Sequence, residues 1–483
     1  MPPARRAIRQ AFSQTVTGTI ADAPQAAGQP SSRESEIATE KRLNHWFTPA
    51  KVGLFMHWGM GTSPGFTTVE AFEEAVAAGG WSAQKWVKEA KKIHARYITL
   101  ATFHTSLGRL RTWSSDIPGT LKTKRDYLGE LIDAAHKDNI KVVVYFTTMS
   151  GNPSSRTAAG DVEGYLDYAR KENPGLTEQQ IKSTFTLGTA FGFGAFSFDV
   201  AEELCKRHKV DGFWFDAYNN PAWYPEDAYP WAVKPCAYEK QTQFDAATFA
   251  ANYFYKRDIV KFLHGLDADA VTFTNYFPPI IPADARGHEF RDKANWKVGP
   301  VSGPMPMGEE NLLIPSGDWW YHGNCPPFSY TREIKRTVHT LGCGYVASVS
   351  EGPLLNGDFP EPLRGYNDFL GKFFGWAGES LLGSCIAGGH GKGGFPAGEW
   401  DDGAYGVTML VPAAKTHYLH VLSAPSGNTL SLPDAGYKIA SAKNLKTGRN
   451  LSCTQANGKL SITVPDWSSL ADDGDYIIEL LER

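Results

Sequence analysis

The chain has 483 residues, a formal net charge of −4 and a pI of 6.4. Its length suits two domains rather than one. The balance of charge excludes a protein that tracks a phosphate backbone, and no apolar run reaches the roughly 18 residues of a membrane span. Apolar residues make up 42% and aromatics 13%, including 14 Trp, so the chain can fill a large core and still leave ring faces for a sugar.

Residues 1–40 carry Arg5, Arg6 and Arg9 and then a Ser/Ala/Gln/Pro-rich stretch. Ala11–Ala27 is too polar to serve as the apolar part of an export signal. The segment reads as a disordered or processed tail, and the default compartment is the cytoplasm, with secretion or a periplasmic location left open. The six cysteines are scattered, with no Cys-x-x-Cys pair, which points to reduced thiols and not to a zinc cage.

From Lys41 to about residue 382, short apolar runs alternate with amphipathic stretches. The runs are Lys51–Trp58 (KVGLFMHW), Arg96–His104 (RYITLATFH), Lys141–Thr148, Val210–Asp216 (VDGFWFD), Ala270–Tyr276 and Gly344–Ser350. They do not alternate polar with apolar, as expected of strands covered on both faces. Helical spacing is read over Ser82–Ala95, Asp126–Asp138, Phe198–Lys209 and Ala247–Gly265. Strand–helix alternation predicts a parallel (β/α)8-like TIM barrel over residues 41–382. No Gly-rich phosphate loop follows the first run, which argues against an open doubly wound sheet. After residue 382 the pattern changes to short runs with turns between them, at Tyr405–Val411, Tyr418–Ser423, Thr429–Leu432, Leu460–Val464 and Tyr476–Leu480. Residues 383–483 are therefore expected to form an antiparallel β-sandwich.

Several strands end in a polar residue, and in a barrel these ends meet at one mouth. Asp216 ends an apolar run, which suits either a nucleophilic carboxylate or a structural Asp that caps the next helix. His57 and His104 end the first two runs. Two neutral imidazoles there could bond to sugar hydroxyls or simply fill a core; a metal site would need a third ligand, and none stands at useful spacing.

Lys51–Gly59 (KVGLFMHWG) resembles the KFGIFIHWG opening of glycoside hydrolase family 29, the α-L-fucosidases. Val210–Asp216 resembles that family's WFDG nucleophile strand, with Asp216 at the Asp. Arg96–Thr102, Val349–Asn356 and Gly375–Ser380 resemble later family segments in the same order. The resemblance implies a retaining glycosidase without metal or cofactor, acting on a carbohydrate, with Asp216 as nucleophile and Trp58, Trp214 and Trp320 lining the pocket. A family pattern places the acid/base ten residues before a WGY; Glu310 stands ten residues before Trp320-Tyr321, with Glu309 and Glu289 as alternatives. Two departures bear on the sugar. The family's paired-His motif, KHHDGF, is Phe103–Arg109 (FHTSLGR) here, so only His104 remains, and the Glu-Trp pair expected after the first strand is missing. Three functions are consistent with these residues: an exo-acting α-L-fucosidase, the same mechanism on another sugar, or a carbohydrate-binding barrel without turnover. Oligomeric state is not legible.

Overall fold

The structure, a computed structural model, describes residues 32–104, 110–119, 121–147, 159–185, 190–216, 259–275, 283–289, 308–314, 319–388, 399–401, 405–434 and 436–483. Eight parallel strands close a barrel in chain order: β1 (Val52–His57), β2 (Tyr97–Ala101), β3 (Lys141–Thr147), β4 (Gly212–Asp216), β5 (Val271–Thr274), β6 (Ala285–Glu289), β7 (Glu309–Leu313) and β8 (Val346–Glu351). β8 returns to β1, with Val52 opposite Ala347 and Met56 opposite Glu351. Because side chains alternate along each strand, one set fills the lumen and the other meets the helix layer. Phe55, Tyr97, Val143, Tyr145, Trp214, Phe273 and Val346 belong to the inner cluster. Val52, Leu54, Met56, Ile98, Val144, Phe213, Leu312 and Ala347 belong to the outer one.

The lower end of the lumen is closed by the chain that precedes β1. Leu43, Phe47 and Ala50 join the inner cluster, and the Phe47 ring meets Phe273 edge-on at 4.8 Å. The sequence expectation of a disordered tail up to residue 40 stops short of this: Ser32–Arg42 is helical, and residues 1–31 lie outside the described residues. The helix is tied down by Arg42, whose guanidinium lies 2.6 Å from Asp284. Burial would raise the Asp284 carboxyl, but hydrogen bonds and charge from His264 and Arg42 override it and hold the group at about 2.

Two strands were invisible in the sequence pattern. β6 (ARGHE) and β7 (EENLL) carry charges where the other strands carry Val, Ile and Phe. The inner position of Glu309 is satisfied by the Tyr97 hydroxyl, which donates to Glu309 Oε2, and by Asn311 Nδ2 at 2.9 Å. A polar lumen position thus replaces an apolar one without leaving its charge bare.

The remaining strands form two antiparallel sheets. One has the order Glu399–Asp401, Tyr405–Val411, Thr416–Ser423, Tyr476–Glu482, Ile439–Asn444, with Ile386–Ala387 paired to Tyr405–Val411. The other joins Thr429–Pro433, Lys459–Thr463 and Ser452–Ala456. Their facing residues, among them Leu419, Val421, Leu430, Ile462 and Ile478, make a core of their own. A short helix, Ser468–Asp473, interrupts what the sequence pattern suggested was all strand and turn. The barrel and the expected C-terminal sandwich are both present. Among the described residues, Cys205, Cys325, Cys343, Cys385 and Cys453 are free thiols, and no helix is long and apolar enough to cross a membrane.

Gly53 is the inner residue of β1 that lets Tyr97 cross the lumen floor: a Cβ there would sit 2.2 Å from the Tyr97 ring. Gly53→Ala is expected to destabilise the fold by about 1–3 kcal/mol through overpacking. Gly375 lies inside the helix Glu361–Ala377, and a methyl added there would have open space, with no neighbouring atom within 4 Å. Gly375→Ala is expected to gain about 0.5–1 kcal/mol. Urea midpoints of the two variants, moving in opposite directions from the parent, check the pair.

Candidate active site

At the mouth, β4 ends in Asp216, and both carboxylate oxygens are held. The Tyr145 hydroxyl, on the neighbouring β3, donates to Oδ2, and Asn275 Nδ2, just beyond β5, donates to Oδ1 at 2.7 Å. The backbone sets up this grip. Tyr145 lies opposite Trp214 in the β3–β4 register, and the Asn275 N–H donates to the Phe215 carbonyl at 3.0 Å. Trp214, two residues before Asp216 on the same face, forms the floor, with its ring 5.4 Å from Tyr145 and nearly parallel to it. These two donors orient the carboxylate above a buried aromatic layer.

The two histidines lie beside this carboxylate. His57 is 4% exposed, and its ring centre is 5.8 Å from that of His104. His104 stacks on Tyr145 at 5.2 Å. Burial, and then the nearby His104, pushes the His57 imidazole well below its usual value. Burial also lowers His104, against the opposing pull of Asp216. Both rings are therefore neutral at neutral pH. His57 Nδ1 is buried and has no hydrogen-bond partner among the described residues, so the site keeps one polar atom for a ligand.

Trp320 forms an isolated bridge with His57 and meets both histidines edge-on, at 5.2 and 5.8 Å. Its neighbour Trp319 escaped the sequence reading. Trp319 is half-buried and lies obliquely over His57 at 5.1 Å, so it walls the same space. Tyr145 escaped as well, because it stands inside the apolar run of β3 and reads as core.

Other expectations meet a different arrangement. Trp58 does not line the lumen. It follows inward His57 and so turns outward, fully buried among Phe72, Trp81, Trp86 and Tyr127, with its indole N–H donating to the Leu355 carbonyl at 3.3 Å. Glu310 is not brought to Asp216. It alternates with Glu309 and shares the outward face of β7 with Leu312, opposite Ala347. Glu309 does face the lumen but at its closed end, where burial raises its carboxyl and Tyr97 covers it. Glu289 ends β6 at the mouth, paired with Asn311; its side chain lies outside the described residues. Among the described residues no group of three potential metal ligands is found.

The barrel mouth thus brings together a strand-end carboxylate, aromatic rings and neutral imidazoles. The α-L-fucosidase family profile matches residues 66–258. Over those residues the chain is similar to the α-L-fucosidase family, and it is a glycosidase. An α-L-fucosidase of family 29 from Bacteroides thetaiotaomicron superposes with a TM-score of 0.60 at 19% identity, covering 96% of this chain and 98% of that one. The Paenibacillus thiaminolyticus α-L-fucosidase isoenzyme 1 gives 0.61 at 18%, over 92% and 100%. The Thermotoga maritima α-fucosidase in complex with fucose gives 0.60 at 16%, over 92% and 99%. At these identities the likenesses establish the fold. No curated protein matches by sequence.

The lowered imidazoles have a consequence for stability. The folded values of His57 and His104 lie below 6.5, so their contribution is present above that pH and is lost as the pH falls through it, where the unfolded chain takes up protons first. The unfolding free energy is expected to fall below pH 6.5 by up to about 1.4 kcal/mol per pH unit for each ring. His57→Gln should flatten the slope, as read from urea denaturation at pH 7.5 and at pH 5.5.

Proposed function

We propose that this glycosidase is a retaining exo-acting enzyme of α-L-fucosidase type, with Asp216 as its nucleophile. The observation that carries the reading is the double hold on Asp216 by Tyr145 and Asn275 at the mouth of the barrel. One carboxylate oxygen attacks the anomeric carbon while the bond to the leaving oxygen breaks, and a second carboxyl group supplies the proton to that oxygen. The glycosyl ester on Asp216 is then opened by water, whose proton returns to the second carboxylate.

For that second group the reading favours Glu289. Of the three candidates, it is the one whose strand position is at the mouth, two residues beyond Gly287, which pairs with the deep-lying Glu309. Glu309 belongs to the closed end, and Glu310 to the outer face. A retaining pair needs its carboxyls about 5 Å apart across the bond to be cleaved. His57, His104, Trp214, Trp319 and Trp320 supply the walls: neutral nitrogens for hydroxyls, and rings for the apolar sugar face.

A second reading keeps the mechanism and changes the sugar. It is favoured by Thr105, which stands where the family carries its second motif histidine, and by the missing Glu-Trp pair after β1. A site built on hydroxyl contacts discriminates sharply, so their absence bears on which pyranose is accepted. A panel of 4-nitrophenyl glycosides that includes α-L-fucoside separates the two readings by relative kcat/KM.

Asp216→Gly is expected to lose at least ~1,000-fold in kcat and to recover part of it with added azide as a glycosyl azide of inverted configuration. Retained activity without azide would remove Asp216 from the mechanism. Tyr145→Phe, which deletes one donor to a charged carboxylate, is expected to cost roughly 10- to 100-fold in kcat/KM. Glu289→Ala is expected to spare aryl substrates with good leaving groups much more than alkyl glycosides, which need the proton.

A further inference from the structure

β8 ends in a carboxyl group that the reaction scheme does not use. Glu351 is 1% exposed and stands on the outward face of the strand with Ala347 and Val349. One amide serves it together with a second acid. Asn367 Nδ2, from the helix Glu361–Ala377, donates to Glu351 Oε2 at 3.1 Å and to Glu89 Oε2 at 3.1 Å. Glu89, on the helix Ala83–Lys92, also has a cation: Lys92 Nζ lies 2.9 Å from it and 2.9 Å from Asp368. Glu351 has no such partner among the described residues. Its Oε1 and the Asn367 Oδ1 are both buried without a hydrogen bond among the described residues. An ionised Glu351 would be a second negative charge on one shared amide, in a buried place.

The next residue connects this cluster to the sugar site. A Cβ at Gly352 would lie 2.5 Å from the Tyr321 nitrogen and 2.8 Å from the Trp320 carbonyl carbon. The backbone of residues 319–321 therefore rests directly on Gly352. That segment bridges to His57 and carries both tryptophans that wall the site.

We propose that Glu351, held as the neutral acid, is a positioning residue that locks the end of β8 against the helix Glu361–Ala377 and, through Gly352, holds the Trp319–Trp320 wall in place. Its effect on turnover rests on the sugar site proposed above; its effect on the wall does not. Burial, followed by the like charge of Glu89, pushes Glu351 up to about 8 against the opposing pulls of Asn367 and Lys92. Two other titratable groups face the cluster. Burial and Glu351 push the Cys325 thiol up to about 11, and burial and nearby carboxylates raise the Tyr366 phenol further. Neither ionises before Glu351 does. The folded chain keeps the Glu351 proton above the ordinary carboxylate value. The contribution is thus complete at acid pH and is lost as pH rises through about 8.

The test is a pH titration of intrinsic tryptophan fluorescence on the substrate-free protein, paired with the pH profile of kcat/KM. The parent is expected to show a fluorescence transition with its midpoint near pH 8, absent in Trp319→Phe, and a fall in kcat/KM of roughly tenfold per pH unit above it. In Glu351→Gln the transition should vanish. In Glu89→Gln, which removes the like charge and releases Lys92, the midpoint should move to lower pH; this variant keeps the proposal testable if Glu351→Gln does not fold. The same midpoint in either variant as in the parent, or no transition in the parent before tyrosines ionise near roughly pH 10, overturns the proposal. If the transition shifts as expected while no glycoside is cleaved, the sugar-site reading fails and the role of Glu351 stands.

Discussion

The site depends on how Asp216 is held. A carboxylate at the end of an otherwise apolar strand has to be satisfied by donors. Tyr145 and Asn275 supply two of them, one from the strand on either side. Parallel register makes the arrangement possible: adjacent strands of a barrel end at staggered heights, so a donor from β3 and another from just beyond β5 reach the same carboxylate from two sides. The aromatic floor of Trp214 and Tyr145 then fixes the donors themselves, since a stacked phenol has little freedom to swing its hydroxyl away.

The barrel has two ends with opposite chemistry. At the mouth stand the polar side chains of Asp216, Asn275, His57 and His104. At the bottom, Leu43, Phe47 and Ala50 fill the lumen, and the polar residue there, Glu309, is locked to Tyr97 and Asn311. Burial raises its carboxyl, against the opposing hydrogen bonds from Tyr97 and Asn311.

Much of this was legible in the sequence, and the illegible parts share a cause. Six of the eight barrel strands are continuous Val, Ile, Phe and Leu runs, because both faces are covered. β6 and β7 are not: β6 (ARGHE) alternates Ala285 and Gly287 with charged residues, and β7 places Glu309 in the lumen, paired to Tyr97 more than a hundred positions away. Without β7 recognised as a strand, the alternation that sends Glu309 inward and Glu310 outward could not be applied, and a spacing motif pointed to Glu310 instead. Asp216 was legible because a carboxylate at the end of an apolar run is conspicuous. Tyr145 was not, because a tyrosine in the middle of such a run looks like core until its hydroxyl is seen to reach Asp216. Trp58 shows the reverse error: a motif tryptophan next to His57 must face the other way, and the packed rings of Phe72, Trp81, Trp86 and Tyr127 hold it there.

The wall of the site is built differently from its floor. Trp214 and Tyr145 stand on barrel strands, whereas Trp319 and Trp320 stand on a connection that meets the barrel at Phe55 and His57 and over Gly352. A wall of that kind is no firmer than the strand end beneath it, and the end of β8 rests on a carboxyl group that shares one amide with another acid. Nucleophile geometry and wall geometry can therefore respond to different conditions. Asp216 is held by the Tyr145 hydroxyl and the Asn275 amide, while the seat of the tryptophans contains a proton that can be lost. An enzyme assembled this way would set its alkaline limit through substrate contacts, at a carboxyl group on the outer face of β8 and not at its reacting carboxylate.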